Sequence, residues 1–516
     1  MAIATLVSKI FGLLRQQGIA AAFAVGPVAD AYSFAYVIPG FLLVLLGGIN
    51  GPFHSAIVSV VAKRKREEIA PLVETITTLI GAALLVVTVL IVLFAGPLID
   101  LLARGLSETA VGLEARAIAL QQLRIMAPMA FFAGLIGIGF GTLNAADQYW
   151  LPSISPLFSS LTVLIGLAVL ALSLGSDITA DRYALLGGSV LAVGTLAGAV
   201  LQWLVQVPAL WRSGLGTLKL RFNIQEPGVG DVLKILAPAT FSSGMMQINV
   251  YTDLYFASYL PQTAAALGYA NLLVQTPLGI ISNVILVPFL PIFARLSAPE
   301  NWPELKDRIR QGLLFTALTM LPLSALMITL ALPMVRVVYE RGAFDQDASE
   351  IVTSLLIAYG IGMFVYLGRD VLVRVFYALG DGETPFRISI LIFFECSAGL
   401  SAGYPTGGTR SGAGNGWGEH FSMLLLLVLL DRRLNGLPWL EWARPIGGLT
   451  LCSAIASMIC WATRSGLESW LGTEGVWVQL VQLAIAGSLG LGSFLVGTML
   501  LRIPEAALLA NRLKQR

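Results

Sequence analysis

Charge is scarce in this chain: only 12% of its 516 residues are Asp, Glu, Lys or Arg, against roughly 25% in a soluble globular chain. So few charges cannot clothe a surface that faces water. Cysteine and histidine are scarcer still, with Cys396, Cys452 and Cys460 and with His54 and His420. Their spacing matches no zinc or disulfide pattern, so the thiols read as buried structural residues, and neither a metal site nor a cofactor is expected. The formal net charge of +2 is divided among short, separate basic runs and argues against nucleic acid. A Gly-rich phosphate loop with Lys, a paired-acid loop motif and a G-x-S-x-G elbow are all missing, which excludes the common enzyme sites and ATP drive within the chain. The first apolar stretch carries Lys9 and Arg15 and runs into Gly26-Pro27 without a small-residue cleavage site, so no cleavable signal peptide is expected. Its abrupt beginning suggests a few residues upstream.

What fills the chain instead is apolar sequence, 56% of all residues. Residues 75–99, 148–176, 183–211, 254–294, 311–335 and 475–501 contain no Asp, Glu, Lys or Arg. About 20 apolar residues of helix cross the ~30 Å hydrocarbon layer, so each stretch is long enough to span. Backbone groups find no water in lipid, so the spans must be helices. The reading is an all-α polytopic membrane protein of about fourteen crossings, drawn at 2–25, 30–61, 75–102, 118–145, 152–176, 183–211, 231–259, 263–295, 311–337, 349–379, 384–404, 418–435, 443–464 and 475–502.

Lys and Arg stay in cytoplasmic loops. With the N-terminus inside, the inner loops receive Lys63 to Arg66, Arg212, Lys219, Arg221, Arg295, Lys306, Arg308, Arg310, Arg387, Arg432, Arg433 and Arg444. The outer loops keep few, so both termini are expected in the cytoplasm. Phe23-Ala24, Tyr36 and Pro39 recur as Phe256-Ala257, Tyr269 and Pro277 at an offset of 233 to 238 residues. That offset spans six crossings, an even number, and predicts two parallel, pseudo-symmetric six-helix bundles about a central cavity with two C-terminal helices appended; chance similarity among apolar segments is the competing explanation. The division follows as 1–212 for the first lobe, 213–228 for a cytoplasmic linker, 229–436 for the second lobe and 437–516 for the final helices and tail. Residues 395–420 are anomalous, with eight glycines in 26 residues. They read either as a flexible outer loop, which leaves crossings eleven and twelve too short, or as a stretch translated out of frame.

Ionisable groups at membrane depth cost roughly 2.5–3.5 kcal/mol on insertion scales, so each is a functional candidate. Arg15 lies inside the first crossing, where a guanidinium can grip a phosphate bidentately or pair with Asp30 for packing alone. Asn249 and Asp253 share a helical face, which suits a cation or proton site and equally suits helix–helix hydrogen bonding. Asn271 and Gln275 repeat that spacing without charge and suggest a polar cavity wall. Gly47-Gly48-Ile49-Asn50-Gly51-Pro52 breaks the second crossing as a hinge or a packing kink. Arg369, Asp370 and Arg374 read as an anchor at the inner end of crossing ten.

Ser8-Lys9-Ile10-Phe11-Gly12-Leu13-Leu14-Arg15, Val28-Ala29-Asp30-Ala31-Tyr32 and Asn50-Gly51-Pro52-Phe53 resemble the opening of the MurJ (MviN) lipid II flippases of the MOP exporter superfamily. The likeness continues in Arg124-Ile125-Met126-Ala127-Pro128, Gly141-Thr142-Leu143-Asn144 and Gln247-Ile248-Asn249. It closes with Tyr339-Glu340-Arg341-Gly342-Ala343-Phe344 and Val373-Arg374-Val375-Phe376-Tyr377-Ala378-Leu379-Gly380-Asp381. The resemblance implies a bacterial cytoplasmic-membrane protein that carries the undecaprenyl-pyrophosphate-linked peptidoglycan precursor to the outer face by alternating access. Its implied partners are that precursor and membrane lipids, and a monovalent cation or the membrane potential would drive it. Arg15, Asp30, Asn50, Asn271 and Gln275 are the substrate-side candidates, with Asn249 and Asp253 as the cation or proton candidates. The chain departs from the family at Ala21 and Leu43 to Leu46, where arginines are expected, and at Asn271-Leu272, where an Asp-Arg pair is expected. Those losses keep two alternatives open: an exporter of another polyprenyl-linked glycan or small amphiphile, and a membrane scaffold without transport.

Overall fold

The computed structural model describes residues 2–48, 51–245, 248–391, 409–473 and 475–501, and among these there is no strand. Packing divides the chain into two compact units, one of 1–265 with 341–345 and one of 266–340 with 346–516.

The first unit holds α1 (Ala2–Phe23), α2 (Pro27–Gly47), α3 (Pro52–Val61), α4 (Arg66–Leu93), α5 (Ala95–Leu102), α6 (Ala110–Met126), α7 (Met129–Ala145), α8 (Trp150–Ile154), α9 (Pro156–Leu174), α10 (Ala184–Leu204), α11 (Gln206–Arg212), α12 (Val229–Met245) and α13 (Ile248–Ala257). Glycine and proline set the breaks between them. Pro27 and Pro52 open α2 and α3, where a missing N–H costs nothing. α6 and α7 meet at a bend of 42° beside Pro128. α2 and α3 pack on α7, with Leu46, Phe53, Ile57, Ile76 and Leu143 in one buried cluster. The approach there is very close: a Cβ on Gly137 of α7 would sit 1.8 Å from the Leu46 carbonyl oxygen. Small residues at such crossings are how membrane helices gain contact area, since lipid offers no hydrophobic drive between them.

The second unit holds most of α14 (Thr263–Arg295), with α15 (Trp302–Thr329), α16 (Ala331–Tyr339), α17 (Gln346–Ala378), α18 (Thr409–Arg433), α19 (Trp439–Leu471) and α20 (Val476–Leu500). α15 packs on α17 and α19, and α19 packs on α20, around Leu318, Leu449, Cys452 and Phe494. Cys452 and Cys460 are buried free thiols. The Arg464 guanidinium donates to the Thr329 carbonyl at 2.9 Å and to Glu468 at 2.6 Å, closing the end of α15.

Among the described residues nine helices are long and apolar enough to cross a membrane, or ten with the bent α6–α7 pair. The described parts of the expected crossings fall largely on helices, several of them on broken pairs such as α2 with α3, while most of the crossing drawn at 384–404 lies outside the described residues. The Gly-rich anomaly, 395–420, lies outside the described residues as far as 408. From Thr409 onward, however, the chain is already helical, where an outer loop was one of the two expectations. In a membrane the backbone must bond to itself, which overrides the poor helix propensity of glycine.

Candidate functional site

α1 begins the site. Arg15 is half-buried, and its Nε is buried with no hydrogen-bond partner. Its charge reaches Tyr32 on α2. The Tyr32 hydroxyl shares a hydrogen bond of 2.9 Å with Thr195 on α10, and the Tyr36 ring stacks on it with centroids 5.5 Å apart. These contacts hold an aromatic, hydroxyl-bearing wall beside a guanidinium that keeps donor capacity for an anion.

Asp30 does something else. It is buried, and its two carboxylate oxygens accept from the backbone N–H of Gln262 at 2.6 Å and of Ala265 at 2.8 Å. Those N–H groups belong to the residues that open α14, where a helix leaves donors unpaired and presents the positive end of its dipole. Both oxygens of Asp30 are therefore engaged in seating the start of α14.

The Glu340 to Phe344 segment explains its own composition. Gly342 takes φ +62, and a Cβ there would lie 2.4 Å from the Ala21 carbonyl oxygen. Ala343 N–H donates to that same carbonyl at 2.8 Å, closing the end of α1, while Phe344 is fully buried. Glu340 meets Arg336 at 3.1 Å and accepts from the Ser349 hydroxyl at 2.7 Å. A cleft of about 630 Å³ lies beside this segment, lined by Gly18, Ala21, Leu164, Leu167, Gly342 and Ala343 among others. It is apolar and lies one turn beyond Arg15.

The remaining candidates are dispersed. Asn271 and Gln275 are exposed on one face of α14 in the second unit, and Asp253 is half-buried on α13 in the first. Asn50 and the Asn249 side chain lie outside the described residues. No cluster of His, Cys, Asp or Glu suited to a metal ion occurs among the described residues. Arg369, read from sequence as an anchor, donates to the hydroxyls of Ser422 and Ser389 at 2.8 Å each and so ties α17 to its neighbours.

Sequence reasoning missed two polar groups. His54 of α3 lies 2.7 Å from the Asn144 amide nitrogen of α7, within the packed crossing. Glu74 of α4 is buried and binds Thr217 and Arg221, the latter at 2.6 Å. Its place at the edge of the uncharged stretch 75–99 was the one available signal.

The model of the family described as "Lipid II flippase MurJ" matches residues 19–480. The chain belongs to the MurJ family. It is 55% identical over 514 residues to a protein of Synechocystis sp. described as "Probable lipid II flippase MurJ", covering 99% of this chain and 96% of that one. It is 28% identical over 397 residues to the lipid II flippase MurJ of Burkholderia cenocepacia, covering 75% of this chain and 73% of that one. In fold it resembles a solved "Lipid II flippase MurJ, inward closed conformation", with a TM-score of 0.74 at 22% identity over 97% of this chain and 98% of the other. A multidrug-resistance MATE transporter of the MOP superfamily in its inward-facing conformation follows with a TM-score of 0.63 at 16% identity, covering 84% and 98% of the two chains. The motifs are thus those of the MurJ family, and the likeness to the MATE transporter is one of fold.

Proposed function

We propose that this chain is a lipid II flippase, carrying the undecaprenyl-pyrophosphate-linked peptidoglycan precursor from the cytoplasmic to the outer face of a bacterial cytoplasmic membrane by alternating access. The observation that carries the reading is family membership over nearly the whole length, at 55% identity across 514 residues. Export of another glycan is not favoured, because the MATE likeness is one of fold alone.

Arg15 is the residue assigned to the pyrophosphate. A guanidinium with an unpartnered buried Nε is costly unless an anion completes it, and a diphosphate oxygen supplies that partner. Each charge-assisted hydrogen bond contributes about 1.5–3 kcal/mol. With Ala21 and Leu43 to Leu46 carrying no charge, a large share of the headgroup grip rests on Arg15. Asp30 serves the site by positioning α14. Asn50, Asn271 and Gln275 are assigned to the polar wall, and Asn249 with Asp253 to a monovalent cation or proton, with the membrane potential as the alternative drive. Transport rather than catalysis is the assigned activity, and both termini are assigned to the cytoplasm from the Lys and Arg asymmetry.

The test is rescue of cells depleted of their own lipid II flippase. The wild-type chain is expected to restore wall synthesis. Arg15→Ala is expected to fail at equal membrane abundance, while Arg15→Lys rescues partially, because it keeps charge but not the bidentate fork. Full rescue by Arg15→Ala would remove Arg15 from the mechanism. Failure of the wild type, folded and inserted, would remove the assignment itself.

A further inference from the structure

Sequence alone marks 213–228 as a cytoplasmic linker, and in the structure this segment packs along α4. The segment is not helical from Leu215 to Gly228. Leu215 is buried in the core of the first unit, beside Val73 of α4. Thr217 N–H and hydroxyl donate to Glu74, and Arg221 donates to Glu74 through Nε at 2.6 Å and to the Thr78 hydroxyl through its backbone N–H at 3.1 Å. The chain then turns at Asn223 to Glu226 and returns to α12, where Gly228 abuts the Arg64 guanidinium and Asp231 lies 3.9 Å from it. It therefore runs along α4 from the basic end to Thr78 and back. Thr78 is twelve residues past Arg66, about 18 Å along a helix. The uncharged stretch of α4 begins at Thr75, so Thr78, where the Arg221 backbone bonds, already lies within it.

The side chains match that depth. Leu218, Leu220, Phe222 and Ile224 alternate with Thr217, Lys219, Arg221 and Asn223, and all four apolar members are exposed, Leu220 at 77% and Ile224 at 70%. Thr217 and Arg221 are pinned to Glu74, and alternation at period two turns the apolar set to the opposite side. Further along, α4 itself exposes Leu85, Val86, Val89 and Leu90, as a helix facing acyl chains does. Lys63, Arg64, Lys65 and Arg66 mark the start of α4, where Arg66 donates to the carbonyl of Ser213, next to Arg212, as suits anionic headgroups.

We propose that residues 216–228 form a membrane-inserting loop, with Leu218, Leu220, Phe222 and Ile224 in the lipid leaflet that borders Lys63 to Arg66 and with Glu74 as its anchor. Glu74 is then a positioning residue for the loop.

The experiment places one cysteine at a time at Leu220, Phe222 or Asn223 in a background with Cys396, Cys452 and Cys460 replaced by Ala. Each is nitroxide-labelled and reconstituted in vesicles of phosphatidylethanolamine and phosphatidylglycerol. Labels at 220 and 222 are expected to relax faster with oxygen, which partitions into acyl chains, than with a water-soluble nickel chelate, and the label at 223 to show the reverse. Leu218→Cys and Ile224→Cys read the same pattern should one of the first pair fail to fold. Nickel-dominated relaxation at the even positions places the loop in water and overturns the proposal. Protection from both reagents means that protein covers the face, and overturns it equally. In the Glu74→Gln background the 222 label is expected to lose its oxygen preference, and an unchanged preference would remove Glu74 as the anchor.

Discussion

An arginine inside a membrane helix is tolerated only when something completes it. Arg15 has its Nε buried and unpartnered, and the carboxylate that sequence offers as its partner is engaged elsewhere. Asp30 accepts from N–H groups 232 and 235 residues away in the chain. No local pattern announces such a bond, so Asp30 was legible as a buried acid but not as the seat of α14. The arrangement makes a specific expectation. Asp30→Ala leaves two N–H donors without their carboxylate and is expected to destabilise the protein by about 2–4 kcal/mol. Asp30→Asn, which keeps one accepting oxygen, is expected to lose less. Thermal unfolding of the detergent-purified variants checks the order, and a neutral Asp30→Ala would show that the bonds carry no net weight.

Helices in this chain meet through glycine, and their ends are held by short polar latches. The α2–α7 approach at Gly137 leaves no room for a side chain. Gly137→Val is expected to cost about 1–3 kcal/mol or more and to lower the amount of folded protein in the membrane. Gly492→Ala, with nothing within 4 Å of the new Cβ, is expected to leave that amount unchanged, as read by size exclusion of the detergent-extracted protein. At the end of α17, Asp381 accepts from the Thr384 N–H at 2.9 Å and hydroxyl at 2.8 Å and pairs with Arg433. Burial pushes the Asp381 carboxyl up, but the Thr384 bonds and the Arg433 guanidinium outweigh it and hold it below the usual carboxylate range. A carboxylate depressed by folding stabilises above its unfolded value of about 3.9 and loses that contribution as pH falls through the lower folded value. The Tm gap between the wild type and Asp381→Ala is therefore expected to be full at pH 7 and to close below about pH 4. A gap independent of pH would point to packing instead. The long uncharged stretches announced helices, and Gly342 entered only as part of a family motif. What Gly342 meets, the Ala21 carbonyl, lies too far along the chain for any window of sequence to contain.

For the molecule as a whole, the orientation proposed from the Lys and Arg asymmetry is open to direct measurement. A reporter that works only in the cytoplasm is expected to be active when fused after Arg212 and inactive when fused after Asp177, and a periplasmic reporter should give the opposite pair. Equal activity at both points would overturn the N-in assignment. Composition alone determined that the chain lives in lipid and is helical, because a backbone without water has one local way to satisfy itself and 12% charge leaves no other solvent. Tertiary structure decided which polar groups face each other: that Asp30 seats α14, that Glu74 anchors a loop beside α4, and that Arg15 retains a buried nitrogen without a partner. Burial is read from local hydropathy, whereas a hydrogen bond across more than a hundred residues depends on how the helices pack, which no stretch of sequence contains.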